Sequence, residues 1–149
     1  MLAGLQLLAL TDHNSTANCP AFFRAAEAVG VIPVAGMELE TAENIHVVCL
    51  FETLSGAMSF GEEVAGRRFP ITNRPEIYGD QLIVDHEDNI LGTDPKLLVV
   101  ATGIGLSEVP EMVGRHGGVC YPAHIDRPSN GIIAILGDHP PDFPAECVE

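Results

Sequence analysis

Four residues of types that bind divalent metals are expected at or just past the ends of apolar runs. They are His13, Glu38, His46 and His124. The apolar runs predict buried strands, so side chains from several strands could meet at one edge of a sheet. Neutral imidazole and carboxylate are ligands that Zn, Mn and Fe accept, and strand ends hold ligands more rigidly than loops do. These residues therefore predict a metal centre.

Three apolar runs and one helical pattern predict the elements that would position the first of these residues. Residues 5–10, 31–35 and 45–51 are nearly continuous apolar runs, which is typical of buried strands. Residues 20–29 predict a helix that Gly30 ends. A strand, a helix and a strand in this order form a βαβ unit, whose strands are expected to be parallel and buried on both faces.

The second half of the chain predicts a hairpin and a further helix before the last candidate ligand. Ser107 is the expected N-cap of that helix, and Pro110 lies in its first turn. Residues 119–121 then predict the strand that leads to His124. The remaining predicted elements are a helix over 54–64, a loop over 66–78, a hairpin over 81–92 and a short helix over 129–136.

The composition is that of a globular chain with a strongly acidic surface. The 149 residues are 46% hydrophobic and 5% aromatic, which predicts one domain over residues 1–149. Twenty-one acidic and seven basic residues give a net charge of -14, which argues against binding of long nucleic acid or of anionic membranes. A small phosphorylated substrate is compatible with this charge, because bound divalent cations would reverse the sign of the local field.

The cysteines and the N-terminal residues predict a cytoplasmic protein. The four cysteines form no C-x-x-C pair and mostly lie inside apolar runs, so reduced core thiols are expected at Cys19, Cys49, Cys120 and Cys147. The first residues lack the basic start of a signal peptide. No apolar run is long enough to span a bilayer.

In order and spacing, four motifs resemble those of the PHP superfamily (polymerase and histidinol phosphatase), in its metal-dependent phosphoesterase branch. They lie at residues 8–15, 33–38, 46–51 and 122–128, so the resemblance covers essentially the whole chain. It implies an α/β fold, a distorted (β/α)7 barrel with mostly parallel strands. It also implies two or three divalent ions, Zn, Mn or Fe, at the carboxyl ends of the strands.

The resemblance implies a role for each matched residue. His13, Glu38, His46 and His124 correspond to metal ligands, and Glu38 corresponds to a carboxylate that bridges two ions. Asp12 corresponds to a residue that orients a ligand, a partner that ligating histidines usually need. Asp12, His13 and Glu38 form the expected catalytic set.

Two motifs of the resembled family are missing from these 149 residues. The family has a His-x-His strand before the segment that corresponds to residues 11–13, and an Asp-x-His strand after the last segment matched here. We therefore expect a partial barrel, an internal fragment truncated at both ends. Strands beside the missing ones would have open edges, which predicts self-association of the chain.

Hydrolysis of a small phosphate ester by a metal-activated water is the activity that the resemblance implies. The alternative is a catalytically incomplete PHP fragment that binds metal weakly or acts only as a structural or interaction domain. A third alternative is an amidohydrolase-type enzyme acting on C–N bonds. A suitably placed lysine would favour that enzyme, but Lys96 is the only lysine of the chain and is not so placed. The residues leave the substrate, the metal and the oligomeric state open.

The other histidines and two adjacent arginines are expected to serve structure or solubility. His86, His116 and His139 follow no matched strand. Arg67 and Arg68 are expected in or next to a loop, where paired arginines are more often solvated than bound to phosphate.

Overall fold

The computed structural model describes residues 4–138, 140, 141, 143, 147 and 149. Within these residues the strands are β1 (Leu7–Leu10), β2 (Ile32–Glu40), β3 (His46–Phe51), β4 (Leu82–Val84), β5 (Ile90–Thr93) and β6 (Gly118–Pro122). The helices are α1 (Cys19–Ala28), α2 (Leu54–Arg67), α3 (Pro75–Tyr78), α4 (Val109–Arg115) and α5 (Ile132–Leu136). His139 lies outside the described residues.

The main sheet has four strands in the order β1-β2-β3-β6, and two of its three pairings are antiparallel. The expectation of a mostly parallel (β/α)7 barrel is therefore wrong for the described residues, which form an open mixed sheet. The physical reason lies in residues 41–45, which alone connect β2 to β3. Parallel neighbours need a crossover of about a dozen residues, so this short connection forces β3 to run back beside β2.

The first βαβ unit is confirmed. β1 pairs with β2 in parallel, from Leu7 opposite Ile32 to Leu10 opposite Ala35, and α1 is the crossover between them. Helix α1 begins near Pro20, which lies in its first turn, and Gly30 follows its end with a positive φ of 74°. β2 continues beyond the predicted residues 31–35 as far as Glu40.

One face of the sheet forms the core. Helix α2 contacts β2 and β3, α1 contacts β2, and α4 contacts β6. The side chains of Ala35, Met37 and Leu39 point into this core and are fully buried. Apolar side chains of the helices complete it, among them Phe60, Val64, Val109 and Val113. Burial of this continuous apolar surface is the main stabilising contribution to the fold.

The opposite face of the sheet is open. Leu7, Ile32 and Val119, on three different strands, are 58%, 61% and 67% exposed. The register places Val34 and Leu50 on this same face. The expectation that the strands are buried on both faces is therefore wrong for β1, for the start of β2 and for β6, whereas β3 is buried on both faces except at Leu50. We refer to Leu7, Ile32, Val34, Leu50 and Val119 as the open face.

The remaining elements largely follow the sequence pattern. The helix over 54–64 is confirmed and extends to Arg67, while the predicted hairpin is β4–β5. Ser107 is not an N-cap, because it lies in a 3-10 turn, Leu106–Glu108, that precedes α4. Cys147 is exposed, unlike the buried Cys19 and Cys49. Among the described residues, no helix has the length and apolar character needed to cross a membrane.

Candidate metal centre

Glu38 and His46 are brought together by the antiparallel pairing of β2 with β3. Glu38 lies inside β2, and His46 is the first residue of β3. The register pairs His46 with Glu40, so His46 and Glu38 project from the same side of the sheet at one edge. His46 Nδ1 lies 2.7 Å from Glu38 Oε1. The expectation that every candidate ligand follows a strand is wrong for both residues, although they still meet.

His13 and His124 reach this edge from the strands on either side. His13 follows β1 and forms a parallel bridge with Glu38. His124 follows β6, which runs in the direction of β2 because both strands are antiparallel to β3. The N–H of Ala123 donates to the carbonyl oxygen of His46 over 3.0 Å, and this bond holds the His124 segment at the start of β3. All four predicted residues thus lie at one edge of the sheet.

The donor atoms of these residues form a compact set. His124 Nε2 lies 3.2 Å from both His46 Nδ1 and Glu38 Oε1. His13 Nδ1 lies 4.0 Å from the second carboxylate oxygen, Glu38 Oε2. Three donor atoms, one each from His13, Glu38 and His46, all lie within 4.8 Å of one another. The two oxygens of Glu38 therefore face different histidines.

Close contact perturbs the proton affinities of Glu38 and His46. The hydrogen bond with His46 outweighs the opposing effect of burial and lowers the pKa of the Glu38 carboxyl to about 2. Burial disfavours the protonated imidazole of His46, but the hydrogen bond to Glu38 and the nearby charges of Glu38 and Glu40 together outweigh it and raise its pKa to about 9. Without a metal, His46 therefore holds a proton at neutral pH, and a cation binding at its ring would have to displace that proton.

The backbone of His124 has an unusual conformation. Its φ is +31°, in a region that non-glycine residues with bulky side chains rarely adopt. Such a conformation costs about 1–3 kcal/mol and persists only where the surrounding structure imposes it. Strained residues of this kind concentrate at functional sites, so the backbone at His124 is consistent with a functional role.

Asn14 is an organising residue that sequence reasoning did not single out. Its side chain is 1% exposed, and its Nδ2 donates to the carbonyl oxygens of Leu98 and Val100 over 2.7 Å and 2.9 Å. Its Oδ1 accepts the backbone N–H of Glu40 over 2.8 Å. Asn14 therefore ties the segment after His13 to the end of β2 and to residues 98–100. The available signal was a polar residue directly after His13, inside the matched segment 8–15.

Asp12 lies beside the metal-binding residues but its side chain points elsewhere. Its Oδ2 accepts a hydrogen bond of 3.4 Å from Asn18 Nδ2, and the carboxylate lines a cavity that also includes His86 and Asp88. Its backbone carbonyl accepts the N–H of Glu38 over 3.1 Å. Within the described residues, Asp12 thus contacts the candidate ligand Glu38 through its backbone carbonyl and not through its carboxylate.

Three of the residues expected to serve structure, His116, Arg67 and Arg68, have local partners. His116 Nε2 lies 2.8 Å from Glu63 Oε2, and its ring packs edge-on against Phe60. Arg67 pairs with Glu108 at 3.3 Å, and the largely buried Arg68 pairs with Asp94 at 2.8 Å. These contacts engage both arginines in ion pairs within the protein.

Glu40 is the second residue that sequence reasoning missed. Its Oε2 lies 3.7 Å from His46 Nε2, on the side of the ring opposite to Glu38. The signal was the spacing of Glu38 and Glu40, because residues two apart in a strand project from the same face.

The donor set fits a divalent cation. Imidazole nitrogen and carboxylate oxygen suit Zn, Mn and Fe. His13 Nδ1, which faces Glu38, is buried and has no hydrogen-bond partner among the described residues, which is costly for a polar atom. His46 Nδ1 and His124 Nε2, both donors when their rings are charged, nevertheless approach to 3.2 Å. Such unpartnered and crowded nitrogens are expected where a cation is the natural partner.

Comparison with known proteins reveals a likeness of fold. No family model matches the chain, and no curated protein matches it. A solved structure from Bifidobacterium adolescentis, named a "putative metal-dependent phosphoesterase", is similar with a TM-score of 0.53 and 20% sequence identity. The match covers 84% of this chain and 58% of that one, so this chain spans little more than half of that structure's length. The described residues thus share the fold of part of that structure.

Proposed function

We propose that this chain carries the metal centre of a phosphoesterase of the PHP type that hydrolyses a small phosphate ester. The observation that carries the proposal is the convergence of His13, Glu38, His46 and His124 at one edge of the sheet. Their order along the chain is the order of the PHP-like motifs. The likeness to a structure named for metal-dependent phosphoester hydrolysis supports the same activity.

In this proposal the four residues would hold part of a cluster of two or three divalent ions, Zn, Mn or Fe. Glu38 would be the shared ligand, because one of its oxygens faces His46 and His124 and the other faces His13. When bound, the ions supply an activated water and neutralise the charge on the phosphate oxygens. Asp12 positions Glu38 by accepting its backbone N–H.

The chain's acidic character makes the ions necessary for substrate binding as well. A net charge of -14 repels a phosphate ester, and the carboxylate of Glu38 adds to this repulsion within the site. Bound cations would be the largest local charges and would reverse that repulsion. We therefore propose a small phosphorylated molecule as the substrate, rather than long nucleic acid.

The test compares metal content and phosphatase activity in matched variants. Purified wild-type protein is expected to retain or take up Zn or Mn and to hydrolyse a generic phosphomonoester such as p-nitrophenyl phosphate. His46→Ala is expected to lose both properties, because His46 contacts Glu38 and His124 directly. His86→Ala, in the exposed β4–β5 turn, is the control and is expected to retain both. Equal metal binding by the two variants would overturn the proposed site.

A second candidate function is that of a metal-binding or interaction domain without turnover. The open face favours it, because its exposed apolar side chains lie on the same side of the sheet as the metal ligands. Large exposed apolar patches mark surfaces that bind other polypeptides, including a second copy of the chain. Stoichiometric metal binding with no hydrolysis of any phosphomonoester tested would favour this candidate.

A further inference from the structure

We propose that Glu40 is a positioning residue that sets which nitrogen of His46 is free to bind a metal. This inference rests on the proposed function, since it concerns the same metal centre. Glu40 belongs to none of the motifs on which the resemblance was based, which end at Glu38 in this part of the chain.

The geometry places two carboxylates on opposite sides of one imidazole. His46 Nδ1 faces Glu38 Oε1 at 2.7 Å, and His46 Nε2 faces Glu40 Oε2 at 3.7 Å. The side chains of His46 and Glu40 are largely buried, 10% and 11% exposed. A neutral imidazole carries one hydrogen, on either nitrogen, and the nitrogen without it binds metal.

The position of that hydrogen decides whether the centre can form. Nδ1 is the nitrogen that lies among the other donor atoms, next to His124 Nε2 and Glu38 Oε1. For Nδ1 to bind an ion, the ring hydrogen must lie on Nε2. An Nε2–H in this buried position needs an acceptor, and Glu40 is the carboxylate it faces. A carboxylate behind a ligating histidine fixes the ring orientation and makes the ligand more basic.

Glu40 is itself held in place by contacts on several sides. Its backbone N–H donates to Asn14 Oδ1, and its carbonyl oxygen accepts the hydroxyl of Thr102 over 2.8 Å. Its Oε1 accepts a hydrogen bond of 3.4 Å from Asn130 Nδ2. The carbonyl oxygen of Asn130 in turn accepts the backbone N–H of His46 over 3.0 Å. Glu40 therefore links a fixed strand end to the ring of His46.

The experiment measures zinc affinity by competition with a chelator in three variants. Glu40→Leu removes the acceptor and is expected to raise the Kd for zinc about 10–100-fold, the usual effect of losing such a partner. Glu40→Gln keeps an acceptor oxygen and is expected to restore part of the affinity. Glu63→Leu is the matched control, because it removes a carboxylate from beside His116, a histidine outside the metal centre. It is expected to bind zinc like the wild type.

A second measurement detects the hydrogen on Nε2 of the His46 ring by NMR. In the zinc-loaded wild type labelled with ¹⁵N, the Nε2–H of His46 is expected to be visible and protected from exchange with water. In Glu40→Leu this protection is expected to be lost, an effect that a role confined to folding would not produce. Thermal unfolding without metal checks that each variant is folded.

The outcomes separate this inference from the proposed function. Equal zinc affinity in wild type and Glu40→Leu would overturn the inference even if phosphatase activity were normal. A Glu40→Gln variant as impaired as Glu40→Leu would also overturn it, because Glu40 would then act as a ligand. Zinc binding that depends on Glu40 without phosphatase activity would support the inference and overturn the proposed function. Absence of zinc binding by the wild type would overturn both.

Discussion

Met37 and Glu38 are consecutive residues of β2 in opposite environments. Met37 is fully buried in the core between the sheet and its helices. Glu38 projects from the other side of the sheet, where its carboxylate meets His13, His46 and His124. Because consecutive side chains of a strand point to opposite faces, one residue of β2 packs in the core and the next is a candidate metal ligand.

The two sides of the sheet also differ in what covers them. The core side is closed by α1, α2 and α4, whereas the open face exposes Leu7, Ile32 and Val119 to solvent. The comparison teaches that the core residues and the candidate metal ligands are different residues of the same strands. A substitution on the core side is expected to change unfolding, and one on the other side to change binding or association.

The largest effect is expected from Met37→Ala. Removing this fully buried side chain loses apolar burial and leaves a cavity, which is expected to lower the free energy of unfolding by about 2–5 kcal/mol. Urea unfolding followed by circular dichroism measures the change. Met37→Leu conserves volume, so it is expected to cost less than about 1.5 kcal/mol. If both variants were as stable as the wild type, the core would not depend on this side of β2.

The second effect is the loss of metal affinity in Glu38→Gln. Partners behind a metal ligand contribute about 10–100-fold, so loss of the shared carboxylate itself is expected to exceed about 100-fold in zinc Kd. Chelator competition measures the affinity. The variant is expected to unfold at a denaturant concentration much closer to the wild type than Met37→Ala does. Unchanged zinc affinity would show that Glu38 is not a metal ligand. The two sides of the sheet would then not differ in the way proposed.

A smaller effect is expected on association. Val119 is 67% exposed on β6, an edge strand of the described sheet, so we propose that the open face and its edges pair with a second copy of the chain. Val119→Lys is expected to weaken this association by about tenfold, or about 1.4 kcal/mol. Val99→Lys is the control, because Val99 is 50% exposed but lies outside the sheet. Sedimentation over a concentration series distinguishes them, and a dilute monomeric wild type would contradict the proposal.

The smallest effect concerns pH dependence of stability in the presence of a chelator. The pKa of His46 is raised from 6.5 to about 9, so its contribution is complete below pH 6.5 and is lost as pH rises towards 9. The pKa of Glu38 is lowered from 4.5 to about 2, so its contribution is complete above pH 4.5 and is lost as pH falls towards 2. The contact between them is therefore expected to stabilise the fold most between pH 4.5 and 6.5.

The measurement is the free energy of unfolding in urea at pH values inside that window and on both sides of it. In Glu38→Gln the dependence is expected to become flatter, because the carboxylate that favours the protonated ring is lost. The same pH dependence in wild type and variant would show that the pair contributes nothing to the stability of the protein without metal.

Much of the local structure could be predicted from the sequence. The helix α1 between β1 and β2 follows from an apolar run, a helical pattern and Gly30, which are all local signals. The β4–β5 hairpin follows from an acidic turn between two short apolar runs. The four candidate ligands were also predicted from residue type and from their position beside apolar runs, and the structure places them at one edge.

Other features depend on contacts between distant segments. The direction of β3 follows from the short connection after β2 and from pairing with two neighbours, and the resemblance to a mostly parallel barrel predicted it wrongly. The side chain of Asp12 points away from the ligands because neighbouring residues of an extended chain alternate sides. The buried bonds of Asn14 join segments more than eighty residues apart, which no local pattern indicates.

The sequence by itself determined which side chains could bind a metal, because that property belongs to imidazole and carboxylate groups wherever they lie. It also determined the alternation that separates Met37 from Glu38, since a strand has a period of two. Only the tertiary structure decided that His46 enters the site from the start of a strand and that Glu40 lies behind its ring. The reason is that the direction and register of β3 are set by hydrogen bonds to both of its neighbours, and those bonds exist only in the folded sheet.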